Sequence, residues 1–290
     1  MKQWKPWEEL TIQDNFMFQK VMRNEQLCRT FLERVLGISI RVLEYPQTEK
    51  TIDTDYKSRS VRLDVYAEER DGRVFDIEMQ AVDMQEKMLP LRLRYYQAMI
   101  DQSLLEKGFP YSKLRETHII FICPFDPFML GLRRYTFRNR CDQRQDLVLA
   151  DRTTKTFLNT RGTLGSESAD VQAFMEYVNT NVARDGFAAA IAAEVAKVKA
   201  NHEHRRLYMT LAMDMLEYVE ENKDVWFAEG RAEGEAKGRA EGEAKGRAEG
   251  KAERTREVAQ NLLHLGVPVA QIAAATGFSP AEIEALRKEQ

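Results

Sequence analysis

The chain has 290 residues, with 43 Lys and Arg against 46 Asp and Glu and a net charge of −3, which allows one core domain of ordinary size plus something smaller. The balance excludes a global basic footprint for nucleic acid, so any binding groove has to be local. No apolar run approaches a membrane span, the opening MKQWKPWEEL lacks the apolar centre of a signal peptide, and Cys28, Cys123 and Cys141 share no ligand-like spacing, so the expectation is a cytoplasmic protein without disulfide framework or zinc site.

Apolar spacing predicts a helix over Phe16–Leu36, stopped by Gly37. Asp14 before it reads as an N-cap, or else as a carboxylate offered from the first helix. Ser39–Thr48 reads as a strand. From Val61 to Glu69 and from Arg73 to Gln80, apolar and polar residues alternate with period 2, the pattern of two half-buried strands. A two-residue loop at Asp71-Gly72 would set the apolar faces against each other. A three-residue loop, Arg70-Asp71-Gly72, with Gly72 left-handed in a G1 bulge, pairs Leu63 with Met79, Val65 with Ile77 and Ala67 with Phe75. That register sets Arg62 opposite Gln80 and Asp64 opposite Glu78, with the two acidic Cβ atoms roughly 5 Å apart. A long helix over Met84–Lys107 and a short apolar strand over Thr117–Cys123 follow. The resulting order is αβββαβ, in which the last strand joins the hairpin through a helical crossover.

Arg134–Arg140 and Leu147–Leu158 read as extra strands or extended edges. From Ala169 to Phe227 the pattern is helical, with Val171, Phe174, Met175 and Val178 at helix spacing. Between Gly230 and Gly250 glycine recurs every four residues, and the unit GRAEGEAK occurs twice. Pairs such as Glu233/Lys237, Glu235/Arg239, Glu241/Lys245 and Glu243/Arg247 contribute about 0.2–0.5 kcal/mol each, whereas each interior glycine costs about 1 kcal/mol relative to alanine. The segment is therefore either a partly helical linker or a helix that recovers the loss by packing on a second copy, giving a homo-oligomer. Arg254–Leu265, Pro268–Thr276 and Pro280–Lys288 read as three short helices. They are similar to a helix-turn-helix, but Glu282 and Glu284 near the start of the last helix favour a packing or dimerisation module over a reader of DNA. The organisation expected is a core at 1–165, a helical extension at 166–227, the repeat at 228–254 and a small helical module at 255–290.

Two like charges facing each other across a hairpin call for a cation. A hard divalent ion, Mg²⁺ or Mn²⁺, accepts one or two carboxylates plus water and substrate phosphate, and phosphodiester hydrolysis uses such an ion. The plainer alternative is a solvated sheet face on which Arg62 offsets the acids. The opening DNFMFQK at 14–20, RLDV at 62–65, IEMQ at 77–80, RLRYYQAMID at 92–101, GFPYSKL at 108–114, HIIFICPFDPF at 118–128 and FLNTRG ending at Gly162 together resemble the PD-(D/E)xK nuclease superfamily and, within it, the Rpn recombination-promoting nuclease/transposase family. The resemblance implies an α/β fold, a restriction-endonuclease-like core with a mixed central sheet flanked by helices, followed here by a helical C-terminal extension. It implies a DNA endonuclease dependent on Mg²⁺ or Mn²⁺, with Asp64, Glu78 and the Met79 main-chain carbonyl holding metal and Gln80 orienting the attacking water. Gln80 departs from the superfamily's lysine and brings no positive charge. Lys87, Arg92 and Arg94 read as phosphate contacts or as solvated helix charges. The alternative function is a catalytically inactive scaffold that serves as an interaction or sensing module.

Overall fold

The computed structural model describes residues 4–45, 51–52, 61–70, 72–82, 85–184 and 186–288. The first apolar run, expected as one helix, forms two: α1 (Asn15–Met22) and α2 (Glu25–Leu36). Asn24 divides them, because its side-chain oxygen accepts the Leu27 N–H at 3.3 Å and so opens a new helix. Gly37 then closes α2 in the left-handed conformation, φ 67°, its N–H on the Glu33 carbonyl.

The strand expected over 39–48 contracts to β1 (Leu43–Glu44), and residues 46–50 lie outside those described. β2 (Thr51–Ile52) and β3 (Val61–Arg62) pair with each other as a separate ribbon, so Arg62 faces Thr51 and not Gln80. β4 (Val65–Glu69) and β5 (Arg73–Met79) are antiparallel, with Val65 opposite Ile77 and Ala67 opposite Phe75, the register that matched apolar faces require. Gly72 has φ 157°, close to extended, so the loop lacks the left-handed glycine of a G1 bulge. The turn is held from outside instead. Arg115 donates to the carbonyls of Gly72 at 3.2 Å and Glu69 at 2.7 Å, and its guanidinium pairs with Glu68.

From β5 the chain crosses through α3 (Gln85–Leu104) to β6 (Glu116–Cys123), which lies parallel to β5. The two extended segments expected after it resolve into four strands. β7 (Arg134–Phe137) and β10 (Thr153–Asn159) join the main sheet, whereas β8 (Arg140–Cys141) and β9 (Arg144–Val148) form an exposed ribbon. The six-stranded sheet has the order β1-β4-β5-β6-β10-β7 and is mixed, with β5, β6 and β10 parallel.

Alternation then sorts the side chains into two layers. Val65, Ala67, Phe75, Ile77, Ile120 and Leu158 meet α1, α2, α4 (Ala169–Thr180) and α5 (Gly186–Ala200) through Phe18, Phe31, Phe174 and Ile191. On the opposite face Tyr66, Val74, Ile119, Phe121 and Phe157 meet Leu89, Leu93, Tyr96 and Ile100 of α3. Burial of each such side chain contributes about 1.5–3 kcal/mol, so both faces of the central strands are committed to the core.

The last long helix, α6 (His202–His264), starts by packing Tyr208 against Trp7 and Phe16 and continues through the glycine repeat. Two compact units are defined, Met1–Ala212 and Met213–Gln290. In the second, the end of α6 joins α7 (Val269–Thr276) and α8 (Pro280–Lys288) around Ala259, Ile272, Ile283 and Leu286. Glu282 is spent on helix capping: its carboxylate accepts the Ser279 N–H at 2.8 Å while Ser279 Oγ accepts the Glu282 N–H at 3.3 Å.

Candidate active site

The alternation that places Phe75, Ile77 and Met79 in one core layer turns Asp76 and Glu78 toward the other, on the α3 side. Neither is solvated: Asp76 is 0 % and Glu78 1 % exposed, and Gln80, just past the end of β5, is 5 % exposed. The plain reading of a wet polar face is therefore wrong, because α3 covers it. Gln80 is fixed to the sheet by its N–H on the Ile122 carbonyl at 2.9 Å.

Across from Glu78, the alternation of the first hairpin strand breaks. Leu63, expected beside Val65, is buried with Tyr66 and Phe121 on the α3 side. The break places Asp64 in a hub of hydrogen bonds. Its N–H donates to Glu78 Oε1 at 2.8 Å, and its Oδ2 accepts the Met79 N–H at 3.1 Å. Its Oδ1 accepts from Asn15 Nδ2 at 3.3 Å and Gln19 Nε2 at 3.2 Å, two residues four apart on one face of α1.

From α3, Arg92 closes the site. Its Nη2 donates to Glu78 Oε2 at 2.8 Å, its Nη1 to Gln80 Oε1 at 2.7 Å and its Nε to the Tyr96 hydroxyl at 2.8 Å. The guanidinium also lies 4.9 Å from the Tyr96 ring and 5.8 Å from that of Phe121. Gln80 completes its set by donating Nε2 to the Val82 carbonyl at 2.5 Å.

Burial, and then the neighbouring Asp76 and Asp64 charges, push the Glu78 carboxyl well above the ordinary carboxylate range, with Arg92 opposing. Asp76 is raised in the same way, first by burial and then by Asp64. No donor among the described residues reaches either Asp76 oxygen, and a hydrogen bond to Glu78 forms only when one of the two carboxyls carries a proton. With all three acids ionised against one guanidinium, two negative charges remain, the charge that one divalent cation neutralises. Two carboxylates with all-oxygen donors suit a magnesium-type ion that keeps several waters. No group of three or more His, Cys, Asp or Glu side chains able to share one ion occurs among the described residues.

The sequence-derived residues are brought together unevenly. Asp64, Glu78 and Gln80 converge. Met79 donates its N–H to Asp64 while its side chain packs in the opposite layer. Arg92 turns inward to the acids, Arg94 is exposed, and the Lys87 side chain lies outside the described residues. Asp14 precedes α1, but its carboxylate makes no side-chain cap and pairs with Lys5 at 2.7 Å and the Thr11 N–H at 2.7 Å. Asn15, Gln19 and Asp76 were missed. The i, i+4 amides at the start of α1 and the third acid on the β5 polar face were the signals available.

A mixed sheet entered through an antiparallel hairpin, with α3 as crossover and acids at the hairpin's open end, defines a PD-(D/E)XK-type core. The chain belongs to the PD-(D/E)XK nuclease family transposases, whose family model matches residues 14–224. Nucleases of this type generally use divalent metal ions. No curated protein and no solved structure matches the chain.

Proposed function

We propose that the protein is a divalent-metal-dependent endonuclease that hydrolyses DNA phosphodiester bonds, with recombination or transposition as its setting. The observation that carries this reading is the convergence of Asp64 and Glu78, joined by the Asp64 N–H on Glu78 Oε1, beside buried Asp76, an acid cluster whose ionised form a divalent cation would neutralise. Asp64 and Glu78 hold Mg²⁺ or Mn²⁺, with the Met79 carbonyl as a further ligand. When bound, the ion supplies Lewis acidity toward the phosphoryl oxygen and neutralises charge on the leaving oxygen. Asn15 and Gln19 fix the Asp64 carboxylate, and Gln80, itself held at both ends, orients the attacking water with its remaining N–H or lone pair. Arg94, exposed on α3, and Lys87 are left to contact phosphates. The protein acts in the cytoplasm, and α6 with its glycine repeat serves homo-oligomerisation.

A second reading, a nuclease scaffold retained for binding or sensing, is favoured by one observation: both Glu78 oxygens already accept hydrogen bonds, one of them from Arg92. The test is conversion of supercoiled plasmid to nicked or linear product by wild type and Asp64→Ala with Mg²⁺, Mn²⁺ or chelator. Metal-dependent cutting that disappears in Asp64→Ala is the expected result. Absence of cutting by folded wild type with either metal would move the assignment to the scaffold reading.

A further inference from the structure

We infer that Arg92 is a positioning residue that delivers, from α3 and through Gln80 and Glu78, the positive charge that the strand itself lacks at position 80. The inference rests on the nuclease reading above. Gln80 is neutral and occupies the strand position from which a side chain beside Glu78 faces the acid cluster. One guanidinium spans both residues, 2.8 Å from Glu78 Oε2 and 2.7 Å from Gln80 Oε1. Because guanidinium only donates, the Gln80 atom it touches must be the oxygen, which fixes the amide's orientation. A guanidinium on that oxygen polarises the amide and strengthens its N–H groups as donors toward negative charge at the attacking or phosphoryl oxygen. The charge is held in place on several sides, by Tyr96 Oη, by the Tyr96 and Phe121 rings and by the two acceptors. An arginine keeps its proton in such a site, and the side chain remains 29 % exposed, so its field reaches the solvent side of the site although Glu78 is closed off. A contact with substrate phosphate, the role its sequence position invited, would require these donors to point outward.

A brace and a charge donor differ in the sign of their effect on metal binding. Full-length wild type, Arg92→Met and the double variant Arg92→Met/Gln80→Lys are compared in plasmid cutting and in calorimetric titration with Mn²⁺. Arg92→Met is expected to cut about 10²-fold more slowly, the scale of one lost transition-state stabilising group. It is expected to bind Mn²⁺ more tightly, because a like charge has left the acid cluster. Gln80→Lys in that background should restore cutting by about tenfold or more, since it returns the charge on the strand. Wild-type cutting by Arg92→Met, or weakened Mn²⁺ binding without rescue by Gln80→Lys, overturns the inference. If wild type binds Mn²⁺ and cuts nothing, the nuclease reading fails separately. The titration then decides alone, with tighter binding by Arg92→Met supporting the charge role and equal or weaker binding overturning it. Thermal melts establish that each variant folds, and Arg92→Gln, which keeps a donor toward Glu78, replaces Arg92→Met if that variant does not.

Discussion

Among the described residues, Asp76 carries a carboxyl at 0 % exposure with no donor on either oxygen, two positions before Glu78 on the same face. Both carboxyls are raised in the folded protein, so the native state holds their protons more tightly than the unfolded chain. Their stabilising contribution is complete below the ordinary carboxylate range and is lost as pH rises through the raised native values. Glu69 and Asp126, whose carboxyls are lowered, act in the opposite sense and weaken the fold only at pH below that range. His118 and His204, lowered by burial, pull the other way as pH falls, so in chelator the acids' share is read as the melting-temperature difference between Asp76→Asn and wild type, expected to be larger near about pH 7.5 than near about pH 5. Asp76→Asn should raise the melting temperature at neutral pH; a difference from wild type that does not change with pH would remove Asp76 from the coupled acids. Saturating metal should act as a native-state ligand, stabilising wild type by about 2.7 kcal/mol at a hundredfold excess over Kd and leaving Asp64→Ala nearly unmoved in the same melts.

At the scale of elements, the hairpin register was legible because side chains alternate with period 2 and only one loop length matches the apolar faces. The break at Leu63–Asp64 was not legible, since what pulls Leu63 across is the α3-side cluster, distant in sequence. The same holds for Arg92: its spacing on α3 names a helix face, but its partners lie on a strand 12 and 14 residues away. The split between α1 and α2 was readable in principle, because Asn24 is a good N-cap, and Asn24→Ala is expected to cost about 1 kcal/mol in denaturant melts. Gly162 is a harder constraint. A Cβ there would lie 2.5 Å from the Leu132 carbonyl oxygen and 2.6 Å from Arg133 Cα, both backbone atoms. Gly162→Ala should accordingly push apart the loops that precede β7 and follow β10 and destabilise the first unit by more than the usual ~1 kcal/mol of a point mutation, read by urea midpoint.

At the scale of the molecule, the chain divides into two compact units, Met1–Ala212 and Met213–Gln290. Propensity alone left the repeat between linker and helix, and α6 runs through it without interruption. Of the pairs expected along it, Glu243–Arg247 forms at 3.3 Å, joined by Lys245–Glu249 at 3.8 Å. These exposed pairs are too weak to offset the glycines. Gly238 and Gly242 face open space, so Gly238→Ala/Gly242→Ala meets no obstruction and should stabilise the helix by about 1 kcal/mol per site. Circular dichroism should record a gain in helicity; a loss would mean that the bare glycine surface is needed for close packing against another helix.

The hydrogen bonds at Asp64 and Glu78 tie both acids to the scaffold under mutational drift. Any residue other than proline at position 64 keeps the N–H that Glu78 accepts, but losing the carboxylate there strands the Met79 N–H and the Asn15 and Gln19 amides. Loss of Glu78 strands both the Asp64 N–H and Arg92 Nη2, at about 1–3 kcal/mol for each donor left buried and unpaired. Removing either acid therefore leaves donors without acceptors, so the scaffold itself holds both in place and would keep them even in a lineage that no longer used them for chemistry.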